Sequence, residues 1–62
     1  MVSLSFPIEL LVSILNTYLR SKYQNITDLC EYENLDIDEL NQKLIDNSYE
    51  YNEETNQIRY KN

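Results

Sequence analysis

Carboxylate side chains at short spacing are the first feature of this sequence that could perform chemistry. Three pairs stand out: Glu31 and Glu33, Asp36 and Asp38, and Glu53 and Glu54. Paired carboxylates can act as acid–base groups or as calcium ligands. Calcium needs about six to eight oxygen ligands, usually from a loop with a glycine at its sharp turn, and this chain contains no glycine. We therefore interpret the pairs as solvated helix faces and a hairpin tip.

The single cysteine, Cys30, is the other chemically reactive group. A nucleophilic thiol usually has a histidine as its base, and the sequence contains no histidine. One cysteine without histidine also cannot build the usual four-ligand zinc site. Helical spacing places Cys30 on an apolar face, so we interpret it as a small core residue. We expect a protein that is not an enzyme and holds no cofactor or metal.

Charge restricts the possible partners. The 62 residues carry eleven acidic and five basic side chains, a net charge of −6. Residues 25–56 include ten of the acidic residues and one basic residue, Lys43. Nucleic-acid binding depends on Lys and Arg neutralising phosphates, so this stretch repels nucleic acid, and it repels an anionic membrane surface as well. A protein partner with a basic patch is attracted instead.

Hydrophobic spacing predicts three helices that must position these groups. Helix 1 is expected over about Pro7–Tyr23, because proline suits the first helical position and apolar residues recur at helical intervals after it. Helix 2 is expected over about Ile26–Glu33, and helix 3 over about Ile37–Asn47. Their inward faces are predicted to hold these residues: Ile26, Leu29 and Cys30, with Tyr32 as a further candidate, in helix 2, and Ile37, Leu40, Leu44 and Ile45 in helix 3.

Helix ends and turns in a chain without glycine have to use Asn or Asp where a positive φ is required. We expect Asn25 to cap the start of helix 2 and Asn34 to end it in the left-handed conformation. Asp36 is expected to cap helix 3, with Glu39 three residues later completing an acidic capping box. Asn56 is expected to take the left-handed position in a later loop.

The C-terminal residues change to a two-residue period, which predicts a β-hairpin from Tyr49 to Tyr60. Tyrosines alternate with Glu50 before a short polar loop, and Arg59 follows an apolar residue after it. Glu50 and Arg59 are expected to pair across the strands. The predicted fold is therefore mainly α: three helices in a helix-turn-helix-like arrangement with a C-terminal hairpin, forming a single domain over residues 1–62.

The helix 2–turn–helix 3 segment permits two functional interpretations. Followed by a hairpin, it is typical of a winged-helix DNA-binding regulator, in which helix 3 would enter the major groove. The N-terminal end of helix 3 is acidic, however, which is the wrong sign for phosphate contacts. The leading hypothesis is a non-enzymatic protein–protein interaction module. Its acidic partner face is predicted to comprise Asp36, Asp38, Glu39 and Asp46.

A second candidate surface lies on helix 1, whose apolar arc covers more than half of the circumference. Leu10, Ile14 and Tyr18 are the candidate interface residues, with Leu10 and Ile14 at the edge of the arc. One possibility is that Phe6 and the hairpin tyrosines cover them. The other is that helix 1 pairs with its own copy in an antiparallel homodimer, since two-fold oligomers are the commonest kind.

Location is indicated by what the chain lacks. The first residues have no basic region typical of a signal peptide, and no apolar run approaches the roughly 20 residues of a membrane span. One unpaired cysteine suits a reducing compartment. We therefore expect a cytoplasmic protein.

Several segments together resemble a known family. They are Leu10-Leu11, Asn16 to Arg20 with Tyr23, Asp28-Leu29-Cys30, Leu40 with Lys43-Leu44, Tyr49-Glu50-Tyr51 and Asn56-Gln57-Ile58. They resemble a family of small uncharacterised bacterial proteins, domain of unknown function 4250. The chain departs from the expected pattern at Ile58, where the resemblance leads us to expect Phe, and at Tyr18, where we expect Lys. Membership implies a bacterial protein and supplies no activity, cofactor or site.

Overall fold

A computed structural model describes residues 2–61 of the chain. It contains three helices followed by a two-stranded antiparallel sheet, as the sequence predicts. The elements are α1 (Ile8–Ser21), α2 (Ile26–Glu33), α3 (Ile37–Asp46), β1 (Tyr49–Asn52) and β2 (Gln57–Tyr60).

Helix α1 is shorter than the sequence predicts at both ends. Pro7 precedes the first helical residue instead of occupying it, with an extended ψ of 145°. At the other end Lys22 leaves helical geometry with a φ of −129°, and the N–H groups of Lys22 and Tyr23 both donate to the carbonyl of Tyr18. This shared acceptor closes the helix two residues before Tyr23.

The predicted capping residues of α2 and α3 are confirmed, but among residues 2–61 no bond from the Asp36 N–H to the Glu39 carboxylate completes the capping box. Asn25 Oδ1 accepts the N–H of Asp28 at 2.8 Å, and Asn34 ends α2 in the left-handed region at φ 60° and ψ 45°. Asp36 Oδ1 accepts the N–H groups of Asp38 and Glu39 at 2.9 and 3.1 Å. These bonds occupy N–H groups that a helix start otherwise leaves without partners, so both helix boundaries are set by the local sequence.

The turn between α3 and β1 uses a residue that the sequence does not single out. Ser48, and not an asparagine, takes the positive φ of 65° there. Asn47 has a φ of −109° and donates its side-chain amide to the carbonyl of Lys43 at 2.8 Å. The N–H groups of residues 47 and 48 donate to the carbonyls of Leu44 and Ile45, so the left-handed turn falls one residue later than an asparagine would place it.

The core of the described chain consists of eleven buried residues: Val2 and ten residues from the three helices and β2. Its five largest fully buried side chains are Leu11, Leu15, Leu29, Leu40 and Leu44. Two candidates for the inward faces are wrong: Ile45 is 67% exposed and Tyr32 is 75% exposed. Ile45 lies about 100° beyond Leu44 around α3, which carries it past the edge of the stripe that faces α1 and α2.

The hairpin has the predicted register. Glu50 pairs with Arg59 and Tyr51 with Ile58, and Arg59 Nε donates to Glu50 Oε2 at 2.9 Å. The apolar side of the hairpin faces the helices, with Ile58 buried and Tyr51 half-buried against the core. Asn56 takes the expected left-handed position at φ 54°.

Hydrogen bonds from the side chains of Asn16 and Asn56 connect the hairpin to α1. Asn16 Nδ2 donates to the carbonyl of Ile58 at 2.9 Å, and Asn16 Oδ1 accepts the N–H of Ile58 at 2.7 Å. Asn56 Nδ2 donates to the carbonyls of Leu19 and Tyr23 at the end of α1. These bonds satisfy backbone groups at the edge of β2 and at the C-terminus of α1, so the hairpin and the helix form one packed unit.

Candidate interaction surfaces

The four residues of the predicted acidic face all lie exposed on α3 or immediately before it. Asp36 has a structural role, because its carboxylate caps the helix. Asp38 and Glu39 lie in the first turn, where negative charge favours the helix dipole. Asp46 ends the helix, about 12 Å along the axis from Asp38. The face is therefore a spread of separate charges along one helix, and not a compact cluster.

Four of the five basic side chains are engaged within the chain. Two contact carboxylates and two contact neutral oxygens: Lys22 with Glu33 at 3.6 Å, Arg59 with Glu50 at 2.9 Å, Arg20 with Gln57 at 2.9 Å and Lys43 with the carbonyl of Leu4 at 2.7 Å. The two cations at the end of α1 contact different elements, since Arg20 contacts β2 and Lys22 contacts α2. The positive charges of Arg20 and Lys22 are thus held by different elements.

Lys22 belongs to an aromatic cluster at the end of α1. Its Nζ lies 5.0 Å from the ring centroid of Tyr18 and 5.5 Å from that of Tyr23, within cation–π range. The hydroxyl of Tyr23 donates to Glu33 Oε2, and the Tyr23 ring stacks on Tyr32. The charge of ionised Tyr23 raises the pKa of Lys22 most; desolvation opposes that rise and Glu33 adds to it. The cluster thus connects the C-terminal end of α1 to the last turn of α2.

Titration of Tyr23 provides a test of this cluster. The hydrogen bond to Glu33 is the main reason that the pKa of Tyr23 is raised above its ordinary value of 10.0, followed by desolvation. Because the folded pKa exceeds the unfolded one, the stabilisation from this phenol is complete below the unfolded value and is lost as the pH rises through the folded value. We expect Glu33→Gln to lower the pKa of Tyr23, as measured by tyrosinate ultraviolet absorbance.

Glu31→Gln is the matched control, because Glu31 is an exposed neighbour on the same helix. It should leave the tyrosine titration as it is in the unaltered protein. Tyr23→Phe should remove the titration step that Glu33→Gln shifts. Identical curves for the Glu31 and Glu33 variants would contradict the assigned hydrogen bond.

The candidate interface on α1 is partly covered. Leu10 is 49% exposed, whereas Ile14 and Tyr18 are half-buried against the core. Ile14 and Tyr18 line a shallow depression of about 350 Å³, which Val2 borders. Val2 is itself buried, and Phe6 packs against the core. Leu10 remains the most accessible of the three residues.

A larger groove, which the sequence did not predict, is bordered by β1, α2 and α3. Its volume is about 1110 Å³, and its walls come from the start of α2, one side of α3 and the length of β1. Ile37 and Ile45 supply apolar surface, while Asp28, Glu53 and Glu54 supply carboxylates. The acidic and tyrosine residues of the hairpin indicate an exposed surface. The opposing wall comes from residues 24–28 and from α3, and no local sequence pattern shows that these segments face β1.

Cys30 lies in the core, with 3% of its surface exposed. Burial raises the pKa of its thiol above the ordinary value of 9.0, and the negative charge of Asp36 raises it further. Both effects disfavour the thiolate that nucleophilic chemistry requires. Within residues 2–61, no three Cys, Asp or Glu side chains are grouped in a way that could hold a metal ion.

These features define a small three-helix domain with a C-terminal hairpin and exposed acidic surfaces. The chain belongs to the family described as a domain of unknown function, DUF4250, whose model matches residues 7–58. No curated protein and no solved structure matches it. The longest helix, α1, has 14 residues, and over the described part of the chain no helix has the length and hydropathy to cross a membrane.

Proposed function

We propose that the protein is a non-enzymatic interaction module of the bacterial cytoplasm, whose acidic surface binds a basic region of a protein partner. One observation carries the proposal. Most basic side chains are engaged within the chain, whereas Asp38, Glu39 and Asp46 project from α3 into solvent. With a net charge of −6 and these exposed carboxylates, the surface attracts cationic partners at long range.

Binding to a short oligolysine peptide at low salt tests the proposal. Neutralising the face in Glu39→Gln/Asp46→Asn is expected to weaken binding about three- to tenfold, since each exposed ion pair contributes up to about 1 kcal/mol. The matched control, Glu9→Gln/Glu31→Gln, removes the same charge from exposed positions elsewhere and should have a smaller effect. Equal effects would mean that net charge alone, and no particular face, attracts the peptide.

The alternative is a winged-helix-like DNA-binding regulator. The arrangement of α2, the left-handed turn at Asn34, α3 and the hairpin favours it. The first turn of α3 carries Asp38 and Glu39, which oppose phosphate contacts. Salt-sensitive binding to random duplex DNA, in the assay used for oligolysine, would place this function first.

The partner of the proposed module also has an alternative, a second copy of the chain. An antiparallel homodimer through Leu10, Ile14 and Tyr18 would bury the exposed part of Leu10. Mass in solution, measured for the unaltered protein and for Leu10→Glu/Ile14→Glu, tests this arrangement. A protein that is monomeric at high concentration would exclude the homodimer.

A further inference from the structure

The two outer edges of the hairpin differ. At the edge of β2, the side chain of Asn16 contacts both the N–H and the carbonyl of Ile58, in the manner of a neighbouring strand. Both groups of Ile58 therefore point away from β1. In an antiparallel pair, a residue whose backbone groups point outward faces a partner whose groups also point outward. Tyr51, which pairs with Ile58, consequently directs its N–H and carbonyl to the outer edge of β1.

The same alternation applies two residues earlier. Lys61 donates its N–H to the carbonyl of Ser48 at 2.6 Å, so this pair and the Glu50–Arg59 pair are bonded across the hairpin. Tyr49 lies between Ser48 and Glu50 and must direct its backbone groups outward like Tyr51. Among residues 2–61, no hydrogen bond occupies the four outward groups of Tyr49 and Tyr51. Strand β1 therefore has an open edge, whereas the edge of β2 is partly covered by α1.

The groove between β1 and the helices lies along this open edge. Four consecutive β1 residues line it, and so do Ile37 and Ile45 of α3. Ile45 is two-thirds exposed although it faces the groove. Glu53 and Glu54 stand at the hairpin tip, at one end of β1. Unpaired backbone donors and acceptors, apolar surface and carboxylates are thus present together.

We propose that the β1 edge binds an extended basic segment of the partner protein as a third strand, an inference that rests on the proposed function. Backbone groups of Tyr49 and Tyr51 would bond to two alternate residues of that segment. The side chains of those two residues would lie on the tyrosine side, towards Ile37 and Ile45, and should be apolar. The intervening side chains would lie on the opposite face, the face of Glu50, whose carboxylate also accepts a hydrogen bond from Arg59. They should be Lys or Arg, because Glu53 and Glu54 lie at the adjoining hairpin tip.

Charge selects this occupant over a second copy of the chain. Pairing two β1 edges would bring together two proteins of net charge −6 and would place the carboxylates of Glu50, Glu53 and Glu54 beside their counterparts. Like charges opposite one another destabilise strand pairing, and charged residues at an edge are a known barrier to self-association. A basic strand meets the same carboxylates with attraction.

A pair of peptides separates strand pairing from charge attraction. The first is a peptide of about six residues alternating Val and Lys, within the usual length of a strand. The second has the same side chains but carries N-methyl groups on alternate residues that would face β1, which removes their donors. We expect the first peptide to slow amide exchange at Tyr49 and Tyr51, and N-methylation to weaken binding about tenfold.

Protein variants locate the binding. Glu53→Gln/Glu54→Gln should weaken binding of the unmethylated peptide more than the matched Glu9→Gln/Glu31→Gln.

Equal affinity of the two peptides, lost at high salt, would overturn the third-strand proposal and leave the acidic module intact. Failure of both peptides to bind, while oligolysine binds, would overturn it too. Failure of every basic probe would overturn the proposed function as well. Concentration-dependent protection of Tyr49 and Tyr51 without peptide would assign the edge to a second copy.

Discussion

Leu11→Ala is expected to remove a large part of the free energy of unfolding. Leu11 is fully buried at the centre of the core. Truncating a buried leucine to alanine costs about 2–5 kcal/mol through lost transfer energy and the cavity left behind. A domain of 62 residues has a total stability of roughly 3–9 kcal/mol. The expected loss is therefore a large fraction of the free energy of unfolding. Urea unfolding followed by circular dichroism measures this free energy for both proteins.

Leu10→Ala provides a closely matched control. Leu10 is the adjacent residue in the same helix, undergoes the same chemical change and is 49% exposed. Its helix propensity changes in the same way, so the difference between the two variants isolates burial. We expect Leu10→Ala to cost less than about 1 kcal/mol. Similar losses for both variants would contradict the assigned orientation of α1.

Local sequence patterns predict most of the fold because its boundaries are set by short-range chemistry. Asn25, Asn34 and Asp36 cap helices that begin or end at the adjacent residue. Asn56 takes the positive φ that the hairpin loop requires. The alternation around Glu50 and Arg59 identifies the register of the hairpin, since a slip by one residue would turn the apolar side to solvent. The orientation of the leucine stripes follows from helical period alone.

The features that the sequence could not supply depend on contacts between distant residues. Asn16 appears polar and exposed on a helical projection, yet it contacts Ile58, 42 residues away. The groove along β1 likewise requires knowing which side of α3 the hairpin approaches. The spacing of Ile45 fits a wide apolar stripe and predicts a core position, but Ile45 is 67% exposed because the contact between α3 and the other helices is narrower than that stripe. The candidate surfaces therefore emerge from tertiary packing.

Asn16→Asp is expected to loosen the hairpin from α1 in a pH-dependent manner. An ionised carboxylate can accept the N–H of Ile58 but cannot donate to its carbonyl, which then faces a negative oxygen. An unsatisfied, partly buried backbone group costs about 1–3 kcal/mol. The ionised form is disfavoured in the folded state, so the folded pKa of the new carboxyl lies above the unfolded one. The variant should therefore lose stability relative to the unaltered protein as the pH rises through that folded value.

The control for this substitution is Asn41→Asp, an exposed helical position on α3 that undergoes the same change. Free energies of unfolding should be measured for both variants from acidic to neutral pH, with amide exchange at Arg59 reporting on the hairpin. Only the Asn16 variant should show a deficit that grows with pH together with faster exchange in β2. A parallel response of the two variants would mean that added charge, and not the broken pair of hydrogen bonds, explains the loss. Faster exchange confined to the hairpin would further show that the Asn16 side chain stabilises β2 by bonding the outward N–H and carbonyl of Ile58, which no neighbouring strand bonds.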